Sequence, residues 1–302
     1  MAQRRDRLDK LHRQFLVKPG SKIRLKDFDP AWAGGDKIPK KVAREVAEAE
    51  LTDDISDLAK AQELLYADRS RALLVIFQAL DAAGKDGTIK HVMTGLNPQG
   101  VRVNSFKVPS FDELSHTFLW RYTRHLPERG MIGIFNRSYY EEVLVVRVHP
   151  EYLVPQKLPA KKFNGPFWRD RYEDINAYER HLVRNGTEIV KFFLHISKDE
   201  QKRRFLERID TPEKNWKFSA ADLKERQLWD EYQVAFEEAL SETSTKEAPW
   251  HVIPADNKWM MRALVASILA AKIQSLKLKC PELPKSEKDK LADAKAELLK
   301  EA

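Results

Sequence analysis

The stretch Ala72-Leu-Leu-Val-Ile-Phe-Gln-Ala-Leu-Asp-Ala-Ala-Gly-Lys-Asp-Gly-Thr88 constrains this chain more than any other. Leu73 to Phe77 is a short apolar run with β-branched members, the composition of a strand buried on both faces. Ala82, Ala83, Gly84 and Gly87 then supply the small residues a loop needs if its N–H groups are to close around phosphate oxygens. Lys85 is the point charge, and a helix opening near Thr88 turns its dipole toward the same anion. The run departs twice from the pattern G-x-x-x-x-G-K-[ST]: Ala79 stands at the first Gly, and Asp86 stands where a metal-binding hydroxyl would be. Asp81 and Asp86 flank the lysine, and a loop carboxylate can hold a hard cation in place of that hydroxyl. The competing reading is an ordinary strand-turn-helix corner.

A core of this kind needs a full α/β domain, and 302 residues with 42% hydrophobic content are enough for one with extensions. The single cysteine, Cys280, excludes a disulfide framework and a cysteine-based zinc site. No apolar run reaches the length of a membrane span, and the N-terminus lacks the apolar core of a signal peptide, so the expected location is the cytoplasm. The net charge of +7 is already present in residues 1–26, which hold nine Lys/Arg against two Asp. The remainder balances, and global charge therefore says little about the ligand of the core. The basic arm reads as a solvated tail, a subunit contact or a polyanion handle.

Helical patterns at 41–51 and 55–68 precede the loop, and strand-like and helical patterns alternate after it, the signature of a parallel sheet covered on both faces. Five strands are expected, at 73–77, 101–108, 131–135, 188–195 and 249–254, with helices at 111–125, 136–146, 165–184, 198–209, 219–240 and 259–276. Ser138 with Glu141, and Ser197 with Glu200, fit capping boxes. The expected organisation is a basic arm and helical extension over 1–54, an α/β/α domain over 55–276 with a lid at about 198–222, and a charged tail over 277–302 that reads as a marginal surface helix or disorder.

Lys85 is the first candidate for chemistry, binding phosphates and offsetting charge during transfer. Asp81 is the first candidate for Mg²⁺ and Asp86 the reserve. Asn136-Arg137-Ser138 closes the third strand, where ligands of open α/β sheets sit. Asn136 can orient a water or a phosphate oxygen, Arg137 can clamp a phosphate with two donors, and Glu142 stays undecided. Arg204 and Arg208, four apart, share one face of the lid helix, and Lys214 and Lys217 follow in the loop with Trp216. A lid of this kind would cover the phosphates and exclude water. The 254–258 loop is placed to frame a base. There is no HExxH pattern, nucleophile elbow or RNA-binding aromatic motif.

Over roughly residues 50–275 the sequence resembles the family-2 polyphosphate kinases. The resemblance rests on the run from Asp81 to Thr88, on Phe135-Asn-Arg-Ser-Tyr139, on Lys191 to Gln201 with Arg204, Phe205, Trp216 and Lys217, and on Ala248-Pro-Trp with Pro254-Ala-Asp256. It implies a P-loop kinase fold with a five-stranded parallel sheet and a helical lid, Mg²⁺ dependence, homo-oligomers, and reversible transfer between inorganic polyphosphate and nucleotides. By motif, Lys85 becomes the phosphate-loop lysine, Asp81 the carboxylate on Mg²⁺, Arg137 the arginine after the second motif, and Arg204 and Arg208 the lid arginines. Many relatives have Asp at the place of Asn136 and Gly at that of Ala79. The Asn variant, with Asn97-Pro-Gln-Gly100, resembles the class III branch, which phosphorylates both mono- and diphosphates.

The expected activity is therefore conversion of AMP to ADP and of ADP to ATP with polyphosphate as donor. Ala82, Ala83, Gly84, Asp86, Gly87, Thr88, Asn136 and Glu142 are expected around the nucleotide phosphates near Lys85, with Lys107, Arg121, Arg124, Lys214 and Lys217 along the polyphosphate chain. An ATP-using nucleoside monophosphate kinase and a non-catalytic loop protein whose basic arm grips nucleic acid are the alternatives, the second disfavoured because no base-reading motif is present.

Overall fold

Five strands, β1 (Ala72–Ala79), β2 (Val101–Ser105), β3 (Ile132–Asn136), β4 (Thr187–His195) and β5 (Trp250–Pro254), form one parallel sheet in the order β2-β3-β1-β4-β5. The computed structural model describes residues 2–35, 38–160 and 162–301. Strand β1 is buried over all but its last residue. Leu73, Val75 and Phe77 pack on one side of the sheet, and Leu74 and Ile76 on the other. Both faces are dry, so the strand carries no polar alternation.

The longer helices are α1 (Ala2–Phe15), α2 (Lys40–Asp68), α3 (Lys85–Val92), α4 (Gly165–Arg184), α5 (Lys198–Asp210), α6 (Ala220–Gln227), α7 (Trp229–Thr243), α8 (Lys258–Ser275) and α9 (Lys285–Leu298). Leu58, Ile89 and Leu264, from α2, α3 and α8, cover the first face with Phe77, whereas Ile175 of α4 and Phe236 of α7 cover the second. On the outer side of β5 the chain after α1 returns, with the Val17 N–H donating to the Trp250 carbonyl at 2.9 Å. That contact closes one edge of the sheet, the general hazard of exposed edges. No helix among the described residues is long and apolar enough to cross a membrane.

Several expected elements differ in extent. The two helices at 41–51 and 55–68 are one, α2. Nothing in Thr52-Asp53-Asp54 breaks it: the Thr52 hydroxyl bonds back to the Glu48 carbonyl, and Ala47 and Leu58, either side of that point, both pack into the core beside α8. The division expected at 54/55 therefore falls inside one element. Strand β2 stops at Ser105 because Phe106 turns inward onto Phe135 and Tyr122. The helix expected over 111–125 is two short turns, Phe111–Leu114 and Trp120–Thr123, folded back so that the buried Arg121 donates to the Lys107 carbonyl. Over 136–146 the chain forms a 3-10 turn at Tyr139–Val143 and a short helix at Val145–Val148. Tyr139 and Tyr140 dictate this by plunging into the core, where both hydroxyls donate to Glu179, itself 2.6 Å from the buried Lys191 amine. The helix expected over 219–240 is interrupted at Leu228, where α6 turns away to lie on α5 through Arg226, which donates to Lys198 and Gln201. The tail helix α9 is exposed along its described length.

Candidate active site

Strand β1 delivers the loop Leu80–Gly84 to the end of the sheet, and α3 begins directly at Lys85. Gly84 has φ +108°, and a Cβ there would stand 3.2 Å from the Met261 methyl, so the position requires glycine. Ala82 also takes a left-handed backbone, with φ +61°. Ala79, by contrast, ends β1 in strand conformation, which explains why the first Gly of the general pattern is dispensable here. Lys85 curls back so that its ammonium donates to the Ala79 carbonyl at 3.0 Å. Burial, and secondarily Arg137, hold its pKa below the ordinary lysine value, while Asp81, Glu141 and Asp86 act the other way. Thr88 is buried, its hydroxyl donating to the Gly84 carbonyl, and so tightens the first turn of α3.

The register Phe77 to Asn136 between β1 and β3 sets the second motif beside this loop. Asn136 donates its amide to the Asp86 carboxylate at 2.7 Å. Arg137 has φ +65°, and its N–H donates to the Phe77 carbonyl. Its guanidinium thereby reaches Asp81 at 3.3 Å and Glu141 at 3.6 Å. Glu141 is the main cause of the raised Arg137 pKa. Burial in turn pushes the Glu141 carboxyl up, against the pull of Arg137 and Lys85. The capping box expected from Ser138 and Glu141 is not formed: Ser138 accepts from the Tyr140 N–H, and Glu141 is drawn to Arg137 instead. Glu142 points the other way, into a buried pair with Arg171 at 2.7 Å.

At the start of α5, Ser197 accepts from the Glu200 N–H, but the second half of the expected capping box is not formed, since the Ser197 N–H donates to Asp256. Arg204 is fixed to the loop itself. It is buried, donates to the carbonyls of Ala82, Ala83, Ala255 and Asp256, and pairs with Glu200 at 2.7 Å. It thereby ties the loop carbonyls of Ala82 and Ala83 to α5 while also lining the groove. Arg208 lies 3.7 Å from Asp222 of α6, and Lys214 2.6 Å from Glu207. Lys217 sits over the exposed Trp216 ring.

Two cavities meet in front of the loop. One, of about 870 Å³, is a cationic groove lined by the loop from Asp81 to Gly87 and by Asn136, Arg137, Arg204, Arg208, Lys214 and Lys217. The other, of about 500 Å³, is walled largely by apolar groups, among them Phe106, Tyr122, Leu144, Tyr152 and Phe236. Asp81, Lys107, Arg137 and Asp222 line both, so they mark the junction. Glu142 and Arg121 face the apolar cavity only. Arg124 lines neither and lies 4.7 Å over the Trp120 ring.

The sequence reading passed over Arg262 and gave no phosphate role to Lys258, both of which line the groove from α8. Their spacing of four after the last strand places them on one helical face, the signal that could have found them.

Asp81 and Asp86 bring two carboxylates to the phosphate side. That donor set fits Mg²⁺, a hard ion bound through one or two carboxylates together with phosphate oxygens and water.

The family model "Polyphosphate kinase 2 (PPK2)" matches residues 41–281. An ADP-polyphosphate phosphotransferase of Rhodopseudomonas palustris is 51% identical over 95% of this chain and 98% of its own. An AMP/ADP-polyphosphate phosphotransferase of Meiothermus ruber is 47% identical over 92% and 98%. The crystal structure of polyphosphate kinase 2 from Arthrobacter aurescens TC1 superposes with a TM-score of 0.82 at 38% identity, covering 93% of this chain and 95% of that one. The sheet order, the loop around Lys85 and these likenesses agree: the chain belongs to the polyphosphate kinase 2 family and is a phosphotransferase working between polyphosphate and nucleotides.

Proposed function

We propose that this enzyme transfers phosphoryl groups from polyphosphate to both AMP and ADP, with the nucleoside in the apolar cavity and the polyphosphate in the cationic groove. The observation that carries this reading is the pairing of two cavities of opposite character that share Asp81, Lys107, Arg137 and Asp222. A base and ribose match a pocket of about 500 Å³ with aromatic and aliphatic walls, whereas a polyanion matches the side lined by Lys85, Arg208, Lys214 and Lys217. The sequence put the nucleotide phosphates at Lys85 and the polymer along Lys107, Arg121, Arg124, Lys214 and Lys217; this reading keeps Lys214 and Lys217 with the polymer and moves Lys85 to that side, while Arg121 lines the apolar cavity and Arg124 neither.

Transfer then occurs at the junction. Lys85 and Arg137 offset the charge of the migrating phosphoryl group, and the fixed loop with the lid helices aligns donor and acceptor oxygens without a covalent intermediate. Mg²⁺, held by Asp81 with Asp86 as the second carboxylate, would offset charge on the phosphate oxygens. A second acceptor is supported by the Meiothermus relative, whose name covers both AMP and ADP, although that of the Rhodopseudomonas relative covers ADP alone.

The test is nucleotide phosphorylation with Mg²⁺ and long-chain polyphosphate as the sole donor, starting from AMP and separately from ADP, beside Lys85→Ala. ATP from both acceptors, abolished in the variant, is the expected result. ATP from ADP alone would remove the AMP assignment and leave the family unaffected.

A further inference from the structure

The groove does not end at the phosphate loop. Beyond Lys85 its wall passes to α8, where Lys258 and Arg262 lie four residues apart on one face, and to the lid turn carrying Lys214 and Trp216. The cations along this wall are not equivalent. Lys214 is matched by Glu207 and Arg208 by Asp222. Arg204 has its donors on carbonyls and on Glu200. Among the described residues neither Lys258 nor Arg262 stands in an ion pair, and the buried Arg262 Nε has no hydrogen-bond partner. The Arg262 guanidinium hangs over the first turn of α3, where a Cβ on Gly87 would lie 3.9 Å from it. Burial and the neighbouring Arg204 both disfavour the charged forms of Lys258 and Arg262, while Glu207 and Glu200 act the other way on Lys258. A cluster of cations that repel one another, with donors left unused, is a surface that an extended anion relieves.

We propose that Lys258 and Arg262 form a distal subsite that grips the body of the polyphosphate chain and makes the enzyme prefer long chains over short ones. The proposal rests on the reading of the groove as the polyphosphate site. The reacting end lies at the junction with the apolar cavity, near Asp81 and Arg137, and is held by the loop. A chain of few phosphates fills that region only. A longer one continues past Gly87 to α8 and adds two charge-assisted contacts remote from the reacting bond. Contacts of that kind strengthen binding without entering the chemical step, so they act on KM rather than on kcat.

The experiment compares tripolyphosphate with long-chain polyphosphate as donor to saturating ADP. The proteins are the wild type, the double variant Lys258→Gln/Arg262→Gln and the charge-preserving Lys258→Arg/Arg262→Lys. The wild type should show the lower KM, per chain, for the long donor. In the neutral variant that KM should rise by about tenfold, with kcat nearly kept and a change of under about threefold for tripolyphosphate. Its dependence on salt should flatten for the long donor alone, because fewer cations meet the polymer. The charge-preserving variant should restore most of the preference. An equal rise for both donors, or none for either, overturns the subsite, as does a wild type indifferent to length. A wild type that uses no polyphosphate at all overturns the reading of the groove and the subsite with it, so the two failures are distinct.

Discussion

The cationic groove and the apolar cavity share a wall, yet they are built by opposite means. Charge in the groove is placed by backbone. Ala82, Gly84 and Arg137 all have positive φ, and the Arg137 N–H is tied to the Phe77 carbonyl of β1. Non-glycine residues in that region cost about 1–2 kcal/mol each, a strain sustained because two buried strands fix the loop from behind. The apolar cavity is framed by side chains from separate segments. Phe106 follows the end of β2, Leu144 lies between a 3-10 turn and a short helix, Tyr152 sits in a further 3-10 turn, and Trp229, Tyr232 and Phe236 come from α7. Its shape comes from packed side chains rather than from one backbone turn. The difference teaches that the phosphate side tolerates little displacement, whereas the nucleoside side can change by increments.

The most direct way to break that comparison is Lys85→Ala. If position and charge at the loop dominate, kcat should fall by about 10²–10³-fold, while the KM for ADP moves little. Steady-state kinetics with saturating polyphosphate reads both, and a loss confined to KM would mean that the lysine serves binding alone.

A smaller loss is expected from Arg204, which holds the loop through its carbonyls. Arg204→Ala strips the carbonyls of Ala82 and Ala83 of their donor and leaves Glu200 with the competing Arg203 only. Loop misplacement of this sort should lower kcat by about ten- to a hundredfold, and the fold should lose about 2–3 kcal/mol. Arg204→Lys should rescue little, since one ammonium cannot span the four carbonyls that the fork reaches. Denaturant melts and kinetics on both variants check it. Full rescue by lysine would show that charge, not the fork, is what the loop needs.

On the apolar side, Tyr152→Ala should raise the KM for ADP by about fivefold and leave the KM for polyphosphate unchanged. Tyr152 lines only the apolar cavity and is half exposed, so its removal should barely alter stability. A parallel rise for polyphosphate would place both substrates in one cavity and dissolve the comparison.

These two construction modes also explain what the sequence disclosed. The groove was legible because a strand running into small residues and a lysine is a local pattern, and so was the turn after β3: Lys85, Asp81 and Arg137 all line the groove, and five parallel strands form where apolar runs stand. Arg204 lies on a helix where one was expected, but its direction follows from how α5 packs on the loop, which helical spacing does not encode. Glu141 read as the capping partner of Ser138 and Glu142 as a candidate at the nucleotide phosphates, and neither role follows from the fold. The 3-10 turn at Tyr139–Val143 sends one to Arg171 and the other to Arg137, because the buried tyrosines before them fix the turn. The apolar cavity was not legible at all. Its residues come from a strand end, from the three helices expected at 111–125, 136–146 and 219–240, and from Tyr152 to Gln156, a stretch given no element in the sequence, so no local pattern joins them.

Glu141 offers the finest test, because it lies where the two modes meet. Its carboxyl is pushed above the ordinary value chiefly by burial, even though Arg137 and Lys85 pull it down. A carboxyl whose folded pKa exceeds its unfolded one favours the fold while protonated, and that contribution disappears as pH rises through the folded pKa. At neutral pH the charged Glu141 is therefore a net burden on stability. Glu141→Gln should raise stability there by about 1 kcal/mol or less, and the advantage should shrink as pH falls through the raised folded pKa and be gone below the ordinary carboxylate range, where the wild type is protonated in both states. Activity should move the opposite way, since Arg137 loses one of its two carboxylate partners and its hold at the junction loosens. Thermal melts of both proteins from acid to neutral pH, read beside kcat, test the sign. A variant less stable than the wild type at neutral pH would mean that the Arg137 pair outweighs the burial of Glu141, and that the junction is held by charge rather than by backbone.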